Sequence, residues 1–335
     1  MKEILVSLHQ FQSTALADYG GGHWFLIESL IIAFLICKWG IPITTDMMVN
    51  ASAGLAGKHF GDKSRTLVIN ASTNNPEMAN MFVSMGMARA GGIANPLGSN
   101  FANMYLMFLV APVWVILKWM ATGQTSRAAA LLKLFMKEKK LVISHVLMAL
   151  LMFGFASLAF WFMTGFHQFA KKPEGVALRP WTMLLAGAGI CVVGVFLFRL
   201  WDKSLQRNRP ELFDDIEDGD HLECWKTLVL GTGGLILVSF ILNGLFLAWS
   251  DVYAVALKGI FGSAVFAGLH YFAGALVTSL PELKVATDNY EKLSSPDLNT
   301  ALSSASVSNM TNLAIAIVGV TIIGLLSALG MNFKL

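Results

Sequence analysis

Residues 277–282 read Val-Thr-Ser-Leu-Pro-Glu, and residues 72–77 read Ser-Thr-Asn-Asn-Pro-Glu. Both segments lie inside long apolar stretches, so each one brings a proline and a glutamate to membrane depth. A proline removes one helical hydrogen bond and clashes with the carbonyl four residues earlier, which predicts a kinked helix at both places. A charged side chain at the bilayer centre costs about 2.5–3.5 kcal/mol on insertion scales, so each glutamate needs a compensating group. The two segments therefore predict an all-α polytopic membrane protein with broken helices around a site.

The composition supports a chain that is embedded in a bilayer. Of its 335 residues, 55% are hydrophobic and only 13% are charged. Soluble domains carry about 25% charged residues, so a typical soluble enzyme is excluded, and the high apolar content excludes a disordered protein. The net charge of +3 gives no indication of nucleic-acid binding. The three cysteines form no motif, so we expect no disulfide framework.

Eight apolar runs are long enough to cross a bilayer, since one crossing needs about 20 apolar residues. They span residues 24–57, 66–88, 94–118, 142–166, 181–200, 225–258, 264–287 and 298–330. Lys and Arg are concentrated in three connecting segments, 58–65, 119–141 and 199–224. The positive-inside rule predicts that these segments are cytoplasmic and that both termini lie outside. We expect an integral protein of a prokaryotic inner membrane.

An internal repeat relates the two halves of the chain. Asp46 precedes Glu77 by 31 residues, and Asp251 precedes Glu282 by the same number. A Ser-Asn-x-x-Asn segment follows each glutamate, at residues 99–103 and 308–312. Five predicted crossings separate the two copies, so the second copy is inverted relative to the first. Proteins with inverted-topology repeats hold small solutes near the bilayer midplane where the repeats meet.

The paired glutamates indicate a cation site built from oxygen atoms. We expect no Lys or Arg in the inner part of either helix to neutralise them. Each kink frees a carbonyl, at Ser72 and Val277, and freed backbone at membrane depth is tolerated where it lines a cavity. Ca²⁺ takes 6–8 oxygen ligands, which carboxylates, amides, hydroxyls and freed carbonyls can supply together. A bound proton and a water-filled cavity are the alternatives for each glutamate.

The other polar residues also allow a purely structural role. Small polar side chains favour the close approach of membrane helices, which would explain Ser99, Asn103, Ser308 and Asn312. Asp46 and Asp251 lie nearer the ends of their helices, where structural hydrogen bonds are expected. The acidic residues within 211–223 predict a solvated loop, with a low-affinity cation sensor as the alternative. Their spacing does not fit an EF-hand.

These motifs resemble the cation/calcium exchanger superfamily, the membrane antiporters that expel calcium in exchange for sodium or protons. The repeats of that family carry Gly-Thr-Ser-Leu-Pro-Glu on one helix and Gly-Ser-Asn-Ile-Phe-Asn on the next. Residues 277–282 are similar to the first motif, and residues 98–103 are similar to the second. Residues 44–49 resemble the Gly-Ala-Asp-Leu-Leu-Val of the preceding helix. The resemblance covers residues 40–110 and 245–320, about half the chain.

The resemblance implies a site for the transported cation, with ligands carried over position by position. Glu77 and Glu282 match the paired carboxylates at its centre, and Thr73 and Thr278 match residues that lend backbone carbonyls. The full implied ligand set is Glu77, Glu282, Thr73, Asn74, Ser99, Asn103, Thr278, Ser279, Ser308 and Asn312. We expect a transporter of Ca²⁺ or a similar divalent cation that is not an enzyme, needs no cofactor, and has the lipid bilayer and small cations as partners.

The coupling ion stays open between sodium and protons. Asn74 matches the proton-coupled branch of the family, whereas residues 278–282 match the sodium-coupled branch. We favour sodium, because the second match is the longer one. A cation channel with the carboxylates as a selectivity ring is the less favoured alternative. A membrane enzyme or scaffold is less favoured still, because the loops show no catalytic motif.

The expected organisation follows the repeat. The first repeat half covers residues 1–200 with five transmembrane helices. An acidic cytoplasmic linker covers 201–224, and the second repeat half covers 225–335 with three transmembrane helices.

Overall fold

The computed structural model describes residues 22–60, 65–86, 95–164, 181–214, 225–238, 240–242, 245 and 279–329. All regular secondary structure in these residues is helical. Within them, six helices are long and apolar enough to cross a membrane: Ile27–Leu55, Pro96–Ala121, Lys139–Met163, Trp181–Asn208, Trp225–Leu242 and Ser295–Ala328. The prediction of an all-α membrane protein is confirmed.

The described helices are numbered in the order in which they follow along the chain. In order they are α1 (Gly22–Leu35), α2 (Ile41–Phe60), α3 (Arg65–Ser72), α4 (Asn75–Gly86), α5 (Asn95–Tyr105), α6 (Ala111–Ala121), α7 (Thr125–Lys137), α8 (Lys139–Thr164), α9 (Trp181–Asn208), α10 (Glu211–Asp214), α11 (Trp225–Leu242), α12 (Leu280–Tyr290) and α13 (Ser295–Ala328). Five-residue π-helical turns at Ile36–Gly40 and Leu106–Val110 join α1 to α2 and α5 to α6. The first π turn ends two residues before Pro42.

The two predicted spans that are not among these six carry the Pro-Glu segments. The span at 66–88 is divided into α3 and α4, which have 8 and 12 residues and are separated by a turn at Thr73–Asn74. Each is shorter than the roughly 20 residues of one crossing. The span at 264–287 is described only from Ser279 onward. The eight-span count and the inverted arrangement stay predictions.

Two segments that the hydropathy pattern predicted to be connections between spans contain helix. The connection 119–141 contains the 13-residue helix α7, which buries Ala128 and Leu131. The α9 helix continues to Asn208, beyond the predicted span at 181–200, and buries Asp202 in its last turns. A search for apolar runs misses both, because amphipathic helices and polar helix ends have too many charges to pass it.

Helix α13 is the centre of the molecule. It packs against α3, α5, α8, α9 and α12. Residues 295–312 carry a long series of serines, threonines and asparagines, most of which are buried rather than exposed to lipid. In contrast, the surrounding helical segments expose large apolar side chains such as Leu109, Trp114, Leu147 and Leu185. Apolar surface outside and polar surface inside is the arrangement expected of a membrane protein with an internal site.

Helices α8 and α9 approach each other closely at a glycine. A Cβ atom built on Gly187 would lie 2.7 Å from Met163 Cγ and 3.1 Å from the carbonyl oxygen of Ala159. Two residues further along α9, a Cβ on Gly189 would have no neighbour within 4 Å. The two positions therefore form a matched pair on one helix.

We expect Gly187→Leu to destabilise the protein by about 1–3 kcal/mol, because the added side chain forces α8 and α9 apart. Gly189→Leu adds the same side chain on the exposed face and is expected to leave the melting temperature in detergent almost unchanged. Thermal unfolding of both variants, monitored by tryptophan fluorescence, measures the difference between their melting temperatures. Equal melting temperatures would show that the α8–α9 contact is not close.

Candidate functional site

The two glutamates of the Pro-Glu segments occupy equivalent positions in their helices. Glu77 is the third residue of α4 and Glu282 the third residue of α12, and a proline precedes each one. Proline suits the first turn of a helix, where the missing N–H would have no intrahelical partner. Pro76 thus starts a new helix after α3 and the turn at Thr73–Asn74 instead of kinking a continuous one, and Pro281 lies in the first turn of α12. Each carboxylate lies in a first turn, where the partial positive charge of the helix terminus favours an anion.

Both carboxylates are buried and close to each other. Glu77 is 3% exposed and Glu282 is fully buried. The two side chains interact electrostatically, and the hydroxyls of Thr73 and Ser308 lie beside Glu282. Within the described residues, no donor reaches either oxygen of Glu282 with normal hydrogen-bond geometry. Two negative charges therefore share one buried location.

The hydroxyls beside Glu282 also bond to other groups. Ser308 Oγ donates to Asn74 Oδ1 at 2.8 Å. Thr73 Oγ1 donates to the backbone oxygen of Asn70 at 2.8 Å. Each hydroxyl has one hydrogen, which can stay with this acceptor or turn to the Glu282 carboxylate. Carboxylate, hydroxyl and amide oxygens that lie together in this way are the ligands that hard cations prefer.

Asn103 of α5 connects the two halves of the chain. Its Nδ2 donates to Ser308 Oγ at 2.7 Å and to Asn309 Oδ1 at 3.2 Å, both on α13. Its Oδ1 accepts from Ser279 Oγ at 2.7 Å, immediately before α12. All four residues are fully buried. One amide thus fixes α5, α13 and the start of the Glu282 helix relative to one another.

Asn312 forms a second link between α5 and α13. Its Nδ2 donates to Ser99 Oγ at 2.8 Å and to Asn100 Oδ1 at 2.7 Å. Its Oδ1 is buried and has no hydrogen-bond partner among the described residues. Ser99 Oγ donates in turn to the backbone oxygen of Pro96 at 3.0 Å. Asn312 therefore holds an amide oxygen that is available as a ligand, four residues along α13 from Ser308.

A row of polar pairs extends from the predicted ligands Asn74 and Ser308 along α3 and α13, through Thr66, Asn70, Thr300 and Ser304, which the sequence analysis did not single out. The pairs are Thr66 with Thr300 at 3.5 Å, Asn70 with Ser304 at 2.9 Å, and Asn74 with Ser308 at 2.8 Å. The members of each row are four residues apart, which places them on one face of each helix. This regular spacing was visible in the sequence, and it leads to the buried carboxylates.

A lysine near Glu282 corrects one expectation. Lys284 lies two residues after Glu282 on α12, so the inner part of that helix does carry a cation. Its ammonium pairs with Asp46 Oδ1 of α2 at 3.2 Å and with Asp288 of its own helix. The Asp46 side chain is half-exposed. This pair agrees with the structural role that the sequence suggested for Asp46.

The structure places nine of the ten predicted ligands in one buried region. The nine residues, each at most 3% exposed, are Thr73, Asn74, Glu77, Ser99, Asn103, Ser279, Glu282, Ser308 and Asn312. One set of hydrogen bonds joins Asn103, Ser308, Ser279 and Asn74, and a second joins Asn312 to Ser99, while the two carboxylates interact with each other. Thr278, Asp251 and most of the acidic segment 211–223 lie outside the described residues.

The described residues contain no group of three or more His, Cys, Asp or Glu side chains that could hold a metal ion. The donors that the region does offer are two carboxylates together with amide, hydroxyl and carbonyl oxygens. Comparison of the chain with protein-family models, curated proteins and solved structures gives no match.

Proposed function

We propose that the protein is a secondary-active antiporter that moves Ca²⁺ or a similar divalent cation across the membrane in exchange for Na⁺, as a divergent member of the cation/calcium exchanger superfamily. The observation that supports this most is the pair of buried carboxylates of Glu77 and Glu282, one of which lies beside the hydroxyl oxygens of Thr73 and Ser308. Hard divalent cations prefer such oxygens.

The charge of the region fits a dication. Two ionised carboxylates carry a charge of minus two, which one divalent cation balances without a further counter-ion. Thr73 and Ser308 offer neutral oxygens beside Glu282, and Asn312 offers a buried amide oxygen one helical turn along α13 from Ser308. When the divalent ion leaves, the carboxylates need another cation, since an uncompensated charge in a bilayer is costly. Obligatory replacement of one cation by another is the basis of exchange.

Alternating access supplies the movement in this proposal. One conformation opens the carboxylates to one side of the membrane, and a second conformation opens them to the other side. The polar rows of α3, α5 and α13 hold the ligands, and they perform no chemistry on the ion.

Calcium efflux from proteoliposomes tests the proposal. Vesicles that contain the full-length protein are loaded with Ca²⁺ and diluted into sodium, potassium or choline chloride at fixed pH. We expect efflux that needs external sodium. Protein-free vesicles measure the leak, and vesicles with Glu282→Gln measure transport that does not use the site.

The alternatives give different results in the same experiment. Proton coupling predicts efflux in choline when a proton gradient is imposed, because two protons also balance two carboxylates. A channel predicts efflux in every medium, since it needs no ion from the opposite side. Either result would replace sodium exchange as the proposed function.

A further inference from the structure

Helix α7 exposes an apolar strip that no part of the described chain covers. The helix buries Ala128 and Leu131 against the rest of the protein. Its outer face carries Leu132, which is 54% exposed, and Met136, which is 74% exposed. These two residues are four positions apart, so their side chains are neighbours along one face.

Lysines flank this strip. Lys133 and Lys137 are exposed and each follows a strip residue by one position, which is about 100° around the helix. Lys139 and Lys140 continue the exposed basic surface at the start of α8. Glu138 is the acidic residue of this stretch, and Arg209 neutralises it, because its carboxylate pairs with the Arg209 guanidinium at 3.1 Å. The exposed charge of the strip is therefore positive.

The position of α7 brings the strip to the membrane surface. One apolar helix ends shortly before α7 and the next begins shortly after it, at Pro96–Ala121 and Lys139–Met163. Helix α7 therefore connects two spans at one face of the bilayer. With 13 residues it is about 20 Å long, too short to cross. Arg127 at its start donates to the backbone oxygen of Glu291 at 2.8 Å, which fastens α7 to the end of α12.

We propose that α7 lies in the headgroup layer and binds anionic phospholipid. Leu132 and Met136 enter the boundary between headgroups and acyl chains, and Lys133 and Lys137 contact the lipid phosphates. An apolar strip with lysines beside it is the pattern of helices that lie in the plane of a charged bilayer. The proposal does not depend on what the protein transports.

Lipid-specific fluorescence quenching tests the binding. Cys37, Cys191 and Cys224 are replaced by alanine, and Met136→Cys carries a bimane label in the full-length protein. Proteoliposomes contain a minority of phosphatidylglycerol in phosphatidylcholine, with brominated acyl chains on one lipid or the other. We expect brominated phosphatidylglycerol to quench well beyond its mole fraction, because each lysine near the surface favours an anionic lipid by about fivefold.

In the variant Lys133→Gln/Lys137→Gln, we expect brominated phosphatidylglycerol to quench the label only in proportion to its mole fraction. Lys203→Gln/Arg207→Gln removes two exposed charges from α9 instead and is expected to keep the preference. Quenching in proportion to mole fraction in the unsubstituted protein would overturn lipid selection. Strong quenching by aqueous iodide with none by brominated lipid would show that the strip faces water or a soluble partner, and would overturn the proposal altogether.

Discussion

Glu282→Gln and Glu77→Gln are each expected to abolish divalent transport while the protein stays folded in the membrane. Either change leaves a dication facing a single carboxylate, so one positive charge in the bilayer is uncompensated.

Two measurements separate loss of function from loss of fold. Radioactive Ca²⁺ uptake into proteoliposomes reports transport, and thermal unfolding in detergent reports stability with and without Ca²⁺. An ion that binds only the folded state raises the melting temperature of the wild type, and this rise should be absent in Glu282→Gln. Glu291→Gln, at the residue that follows α12, is the matched control: its partly exposed carboxylate pairs with Lys118 far from Glu282 in the helix, so the variant should transport normally.

Two outcomes would count against a site that uses both carboxylates. One is uptake at half the wild-type rate or more in either variant. The other is a Ca²⁺-dependent rise in melting temperature that survives in both variants. If a variant is too unstable for thermal unfolding in detergent, its Ca²⁺ uptake rate in vesicles still decides the first of these outcomes.

Asn103→Leu is expected to destabilise the protein by about 3–5 kcal/mol. The substitution keeps the approximate volume of the side chain. It removes the oxygen that accepts from Ser279 and the N–H groups that donate to Ser308 and Asn309. Each buried polar group left without a partner costs about 1–3 kcal/mol, and some relaxation is expected. Transport should fall as well, because the start of the Glu282 helix is no longer fixed against α13.

The matched control for Asn103→Leu is Phe101→Leu on the same helix. Phe101 is exposed on the outside of α5, so its replacement by another apolar side chain should change stability by less than about 1 kcal/mol. Thermal unfolding of both variants in one detergent gives the comparison. If Asn103→Leu unfolds at the wild-type temperature, the hydrogen bonds between α5 and α13 do not hold the site together.

Six of the eight predicted spans agree with described helices, because a long apolar run has no alternative to a helix in a bilayer. The apolar-run criterion predicted the structure of the Pro-Glu segments less accurately. A proline inside an apolar run predicts a kink, whereas α3 ends at Ser72 and a new helix begins at Asn75. Periodicity cannot distinguish these outcomes, since both contain the same residues.

The sequence by itself determined the class of protein and the chemistry available to it. Low charge and long apolar runs require a membrane protein, and two glutamates at membrane depth require compensation, whatever the packing is. The tertiary structure decided which oxygens lie beside the carboxylates. Ser308 and Thr73 beside Glu282 donate to Asn74 and to the backbone of residue 70. The direction of a hydroxyl depends on its neighbours in space, and these come from helices far apart in the sequence.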